Sequence, residues 1–114
     1  DWQLSLIERG GADRLGVNLD TMTYRWFGHG LGQIGRFYEI LAPHVFHTHM
    51  KDGTGSRQDY KGAALGDGEI HLDHVVKCLK EVGYDGAWTA EYEGPEAEGG
   101  VGYEKCYGWL KEKI

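Results

Sequence analysis

The chain has little of what builds disulfide scaffolds, rigid turns or cationic surfaces. Of its 114 residues, two are cysteine and two are proline. Cys78 and Cys106 are too few to staple a small fold, and both fall on apolar faces of helix-like segments. Buried, reduced thiols are therefore expected, as suits a cytoplasmic protein. Basic residues number 12 against 18 acidic ones, a formal net charge of −6. No Lys/Arg run or stripe occurs, so the electrostatic footprint of nucleic-acid binding is missing. Nothing approaches the roughly 20 consecutive apolar residues of a membrane-spanning helix. The first residues, Asp1-Trp2-Gln3-Leu4, carry no signal or transit pattern. There is no Gly-x-Ser-x-Gly nucleophile elbow, and neither cysteine has the setting of a nucleophile.

Glycine is the residue in excess, at 19 of 114, against an average of about 7%. The glycines cluster between periodic segments, which points to shaped loops on a rigid frame, where function tends to lie. The periodic segments alternate in type. Residues 2–9 read as a short helix stopped by Gly10-Gly11. Leu15-Gly16-Val17-Asn18-Leu19-Asp20 alternates as a strand, with Leu15, Val17 and Leu19 on its apolar face. A loop over 21–32 precedes a helix over about 33–42, whose Ile34, Phe37, Tyr38 and Leu41 recur at spacings of three and four. Pro43 closes that helix.

The second strand, over about 44–50, puts His47, His49 and Lys51 on one face and Phe46, Thr48 and Met50 on the other. A long polar, Gly-rich loop is expected over 51–69, then a helix over about 71–82 with the stripe Leu72, Val75, Val76 and Leu79, ended by Gly83. The third strand spans about 86–92, with Ala87, Thr89, Glu91 and Glu93 on one face and Trp88, Ala90 and Tyr92 on the other. An acidic loop over 94–100 leads to a last helix over about 102–112. The pattern is α/β: an orphan helix followed by three βα units, in one domain. An eight-unit barrel needs about 250 residues, so the expectation is the C-terminal three βα units of a (β/α)8 TIM barrel rather than a complete one. The open strand edges would be covered by the remainder of the barrel or by another copy of the chain.

Each of the three strands ends on a metal-compatible side chain: Asp20, His49 and Glu91. Reactive groups at the carboxyl ends of parallel strands are how α/β proteins build active sites. Two carboxylates and an imidazole suit Mn²⁺, Mg²⁺, Co²⁺ or Zn²⁺. Each residue alone has a blander use: an Asp after a strand caps the next loop, a strand His satisfies a core, a Glu is solvated. Their joint arrival is the stronger signal. His47 points the same way as His49, as an alternative ligand, a substrate contact or a proton carrier. Lys51 continues that face and suits a developing oxyanion, and Asp52 could pair with Lys51 or orient an imidazole. Tyr24, Arg25 and Trp26 follow Asp20 on the expected rim, where aromatic faces beside a guanidinium suit a sugar; Arg57 in the long loop is a similar candidate. His71 and His74 read as a solvated helix end. The glycines of Gly28-His29-Gly30-Leu31-Gly32 do not directly follow a strand and are not read as a nucleotide loop.

With these motifs in place, the sequence resembles the C-terminal part of the sugar phosphate isomerase/epimerase superfamily, the xylose-isomerase-like barrels. The resemblance rests on Gly16-Val17-Asn18-Leu19-Asp20-Thr21, His47-Thr48-His49-Met50-Lys51-Asp52, Leu65-Gly66-Asp67-Gly68-Glu69-Ile70, Gly83-Tyr84-Asp85-Gly86 and Ala90-Glu91-Tyr92-Glu93-Gly94. It implies a divalent ion, often Mn²⁺, held by Glu, Asp, His and Glu from the last four strands. Asp20, His49 and Glu91 match the last three positions. The first Glu has no counterpart, since Glu8 falls in a helix, so these residues alone would form an incomplete active site.

The implied chemistry is metal-dependent isomerisation or epimerisation of a keto-sugar or sugar derivative through an enediolate, with Glu91 as ligand and acid or base. Some ketose epimerases of this group carry a His three residues after the metal Asp; here it is Thr23. The same superfamily also dehydrates inososes and eliminates from oxidised glycosides, which makes a lyase the alternative. A metal-dependent endonuclease on this barrel would need a basic DNA face. A sugar-binding or interface module is the non-catalytic alternative.

Overall fold

The computed structural model describes residues 2–11, 14–95 and 100–114; residues 96–99 of the expected acidic loop lie outside them. The elements are α1 (Trp2–Gly10), β1 (Val17–Asp20), α2 (Thr23–Trp26), α3 (Leu31–Leu41), a 3₁₀ turn (Ala42–His44), β2 (Val45–Met50), β3 (Asp52–Thr54), β4 (Lys61–Ala63), α4 (Leu72–Glu81), β5 (Trp88–Ala90) and α5 (Val101–Lys113). β1, β2 and β5 form one parallel sheet in that order. Each of its strands is followed by a long helix, α3, α4 or α5, as the strand-then-helix pattern predicts. No helix among the described residues is long and apolar enough to cross a membrane.

The helices form where the apolar spacing requires them. In α4, Leu72, Val75, Val76 and Leu79 are buried on one stripe, and Ile34, Tyr38 and Leu41 are buried in α3. Gly83 stops α4 with φ at +74°. Its N–H reaches the Lys80 carbonyl and the Tyr84 N–H reaches that of Leu79, the paired bonds of a Schellman cap. α5 buries Gly102, Cys106 and Leu110, one per turn. Both cysteines are free and buried, and burial pushes each thiol up from its ordinary pKa.

Register places the site. Asn18 pairs with His47, Leu19 with Thr48 and Asp20 with His49. On the other side His49 pairs with Thr89 and Met50 with Ala90. Beyond the last pair, the Glu91 N–H still donates to the Met50 carbonyl at 2.9 Å, so Glu91 is held at the sheet's carboxyl edge.

Four expectations are corrected. Leu15 is outside β1 and 43% exposed, because regular pairing begins at Val17. The register shifts between Val17 and Asn18, and the extra residue in β2 leaves Val45 buried and Phe46 exposed, off the Thr48/Met50 face. The 21–32 segment contains a helical turn, α2. The 51–69 segment contains an antiparallel hairpin, with Asp52 opposite Ala63 and Thr54 opposite Lys61.

Candidate metal centre and its cavity

Asp20, His49 and Glu91 converge at the carboxyl edge of the sheet. Each offers one ligand atom, and the three atoms lie within 4.8 Å of one another. Ligands on one divalent ion at about 2.0–2.4 Å are spaced by about 3–4.8 Å, so the span fits. His49 Nδ1 is 3.6 Å from Glu91 Oε2, too far for a direct hydrogen bond and close enough to share an ion. Both side chains remain more than a third exposed, which leaves room for further ligands. Hard oxygens with one imidazole are a donor set for Mn²⁺, Mg²⁺, Co²⁺ or Zn²⁺.

The surroundings fix these side chains. Asp20 Oδ1 accepts the N–H groups of Met22 at 2.9 Å and Thr23 at 3.2 Å. Asp20 thus both caps the α2 turn and joins the cluster. Thr21, fully buried, continues the strand pairing past Asp20: its N–H donates to the His49 carbonyl, and its Oγ1 both accepts from the Lys51 N–H and donates to the Lys51 carbonyl. From α3, the Tyr38 hydroxyl donates to the Thr21 carbonyl at 2.5 Å.

His47 is not in the cluster. Its ring sits edge-on to that of His49, centroids 5.3 Å apart, with Nε2 3.5 Å from Thr89 Oγ1. Lys51 is only 14% exposed; its ammonium is hydrogen-bonded to Glu93 and lies 3.8 Å from Glu91 Oε1. Burial pulls that ammonium's pKa down, but the Glu93 hydrogen bond, with Tyr60, Glu91 and Glu93 nearby, holds it above the ordinary value.

A cavity of about 300 Å³ opens beside Asp20, lined by Thr23, Trp26, Phe27, Lys51, Tyr60 and Glu93 among others. Of the four expected substrate contacts, Trp26 lines it. Tyr24 lines a second hollow that also borders Asp20, and it hydrogen-bonds Gln3 at 3.0 Å. Arg25 donates to Glu69 at 2.8 Å, and Arg57 lies 5.5 Å over the Trp26 ring, so both brace the rim. The Arg25 guanidinium holds the Glu69 carboxyl below its ordinary pKa.

Asp52 neither pairs with Lys51 nor orients an imidazole. It is buried, and its oxygens accept four backbone N–H groups, of Gly53, Gly66, Gly68 and Ile70, at 2.8–3.1 Å. Burial pushes its carboxyl above the ordinary value, and those amides pull the other way. His74 is likewise not a solvated end, since it reaches Glu39 at 3.2 Å and the Gly35 carbonyl at 3.1 Å on α3. Thr21, Tyr60 and Glu69 were not singled out in the sequence as site residues. Thr21 follows the strand's last residue and Glu69 lies in the 65–70 motif, signals within reach; Tyr60 sits in an irregular segment with no such marker.

Parallel strands each followed by a helix, with metal-compatible side chains gathered at their carboxyl ends, define the class: an α/β protein built of βα units with a candidate centre at the strand ends. Comparison specifies it further. The chain belongs to the xylose isomerase-like TIM barrel family, whose sequence profile matches residues 3–113. It is also similar to an inosose isomerase of Halalkalibacterium halodurans, 30% identical over 95 residues, which are 80% of this chain and 33% of that protein. The chain spans about a third of the length of the curated relative it matches.

Proposed function

We propose that the chain supplies the metal-binding half of the active site of a sugar isomerase or epimerase acting on a keto-sugar or sugar derivative. In this reading its three βα units are the last three of an eight-unit barrel, in one domain, and the rest of the barrel covers its open edges. The observation that carries the reading is the convergence of Asp20, His49 and Glu91 from three adjacent parallel strands. The family, and a relative named for isomerising an inosose, support the substrate class.

Asp20, His49 and Glu91 hold the ion, with Mn²⁺ preferred over Mg²⁺, Co²⁺ or Zn²⁺. A divalent ion there supplies Lewis acidity toward vicinal hydroxyl and carbonyl oxygens, acidifying the adjoining C–H. Glu91 also serves as acid or base at that carbon. Its Oε1 lies 3.8 Å from the Lys51 ammonium, so the acid–base group and the cation stand side by side. Lys51, clamped by Glu93 on its other side, steadies negative charge on the substrate oxygen. His47, beside His49, is the secondary proton carrier. Trp26 gives an apolar wall to the sugar, while Tyr24, Arg25 and Arg57 shape the approach to it.

The test is deuterium exchange in the full-length protein loaded with Mn²⁺. An isomerase or epimerase incorporates solvent deuterium next to the carbonyl of a keto-sugar without losing water, and Glu91→Gln lowers turnover more than about a thousandfold. Loss of water from the substrate would instead establish the lyase alternative. Near-normal turnover in the Glu91→Gln protein would end the proposal.

A further inference from the structure

Lys51 stands between two carboxylates and bonds to one of them. Its ammonium is hydrogen-bonded to Glu93, while Oε1 of Glu91 is 3.8 Å away, too far for a hydrogen bond. The two oxygens of Glu91 therefore face different neighbours. Oε2 lies 3.6 Å from His49 Nδ1, on the side of the ligand cluster, and Oε1 faces the ammonium across the gap.

Both ends of the Lys51–Glu93 pair start from fixed backbone. Thr21 Oγ1 accepts the Lys51 N–H and donates to the Lys51 carbonyl, so the lysine leaves the sheet edge from a pinned point. Glu93 lies between Tyr92 and Gly94. Tyr92 is buried against α5, where a Cβ on Gly102 would come 2.5 Å from its ring, and a Cβ on Gly94 would come 2.7 Å from the Gly62 carbonyl oxygen of β4. Both side chains of the pair then line the cavity that Asp20 borders.

The pairing matters more to the lysine than to the glutamate. The Lys51 side chain is 14% exposed and needs a protein partner for its charge, whereas Glu93, 56% exposed, is served by water. Among the described residues, the other carboxylate within 4.0 Å of the ammonium is that of Glu91. A lysine stem is flexible and its three donors rotate. Without Glu93, a shift of about 1 Å would give Lys51 a charge-assisted bond to Glu91 Oε1. That bond would occupy the carboxylate and bring a fixed cation against the place where a metal cation binds.

We propose that Glu93 is a positioning residue that holds the Lys51 ammonium off Glu91, keeping that carboxylate available to the divalent ion and to the substrate proton. This rests on the functional reading above. Glu93 acts through Lys51 and not as a ligand, since the cluster is made of Asp20, His49 and Glu91.

A double-mutant cycle on Mn²⁺ affinity in the full-length protein tests this, with unbound Mn²⁺ read from its electron paramagnetic resonance signal. Glu93→Met keeps the length of the side chain and removes charge and acceptor; Lys51→Met removes the ammonium. Glu93→Met is expected to weaken Mn²⁺ binding about tenfold beside Lys51 and about twofold or less in the Lys51→Met protein, so that removing the lysine restores what the first change cost. Loss of one negative charge near the ion, or of local structure, would weaken binding alike in both backgrounds. Equal losses would therefore overturn the role of Glu93 while leaving the functional reading intact, as would unchanged affinity in Glu93→Met. Should Glu93→Met fail to fold, the same cycle with Glu93→Gln decides, with a smaller coupling of the same sign because the amide keeps an acceptor. If the unaltered protein binds no Mn²⁺, the functional reading fails and this inference fails with it.

Discussion

Single side chains here carry two duties at once. Asp20 holds the α2 turn through Oδ1 and also stands in the Asp20, His49 and Glu91 cluster proposed as the metal site. The carboxylate that organises the loop is Asp52, which gathers four amides from residues spread over 53–70. An Asp52→Asn protein keeps the shape but turns an NH₂ group toward amides that need an acceptor. A loss of about 2–4 kcal/mol follows from two or more charge-assisted bonds removed from a buried site. It should appear as a lower urea midpoint at unchanged slope. An unchanged midpoint would show the loop to be held by something else. Such a role was hidden in the sequence, where Asp52 is simply the acid after Lys51; its partners are backbone groups, which leave no pattern of residue types.

At the scale of elements, what was legible depended on length and period. α3 and α4 each repeat an apolar face over about two turns, and the alternation in β1, β2 and β5 pointed to Asp20, His49 and Glu91 at or beside their carboxyl ends. The β3–β4 hairpin was not legible. Its strands are three residues each, glycine-bearing, and fastened by Asp52 and by the Gly55 N–H on Glu69 rather than by an apolar face. Close backbone approach also explains Gly62. A Cβ there would sit 1.8 Å from the Glu93 carbonyl oxygen and 2.4 Å from its carbon. Backbone atoms yield poorly, so Gly62→Ala should separate the hairpin from the 91–94 segment at about 1–3 kcal/mol. Hydrogen exchange should then quicken at the amides of 52–63 and slow nowhere else. Exchange identical to that of the unaltered protein would mean the hairpin is anchored elsewhere.

For the whole molecule, the sheet order β1-β2-β5 leaves β1 and β5 as outer strands, and the matched relative is about three times the length covered. Within that frame the central claim concerns one place: the carboxyl edge where three strands deliver two carboxylates and an imidazole. The net charge of −6 is consistent with attraction of a cation to that edge. Anomalous diffraction at the manganese edge, from a crystal of the protein soaked in Mn²⁺, tests the claim most directly. The account predicts a peak about 2.0–2.4 Å from ligand atoms of Asp20, His49 and Glu91 together. A crystal in which those three side chains converge as described, yet no peak appears between them, would contradict it.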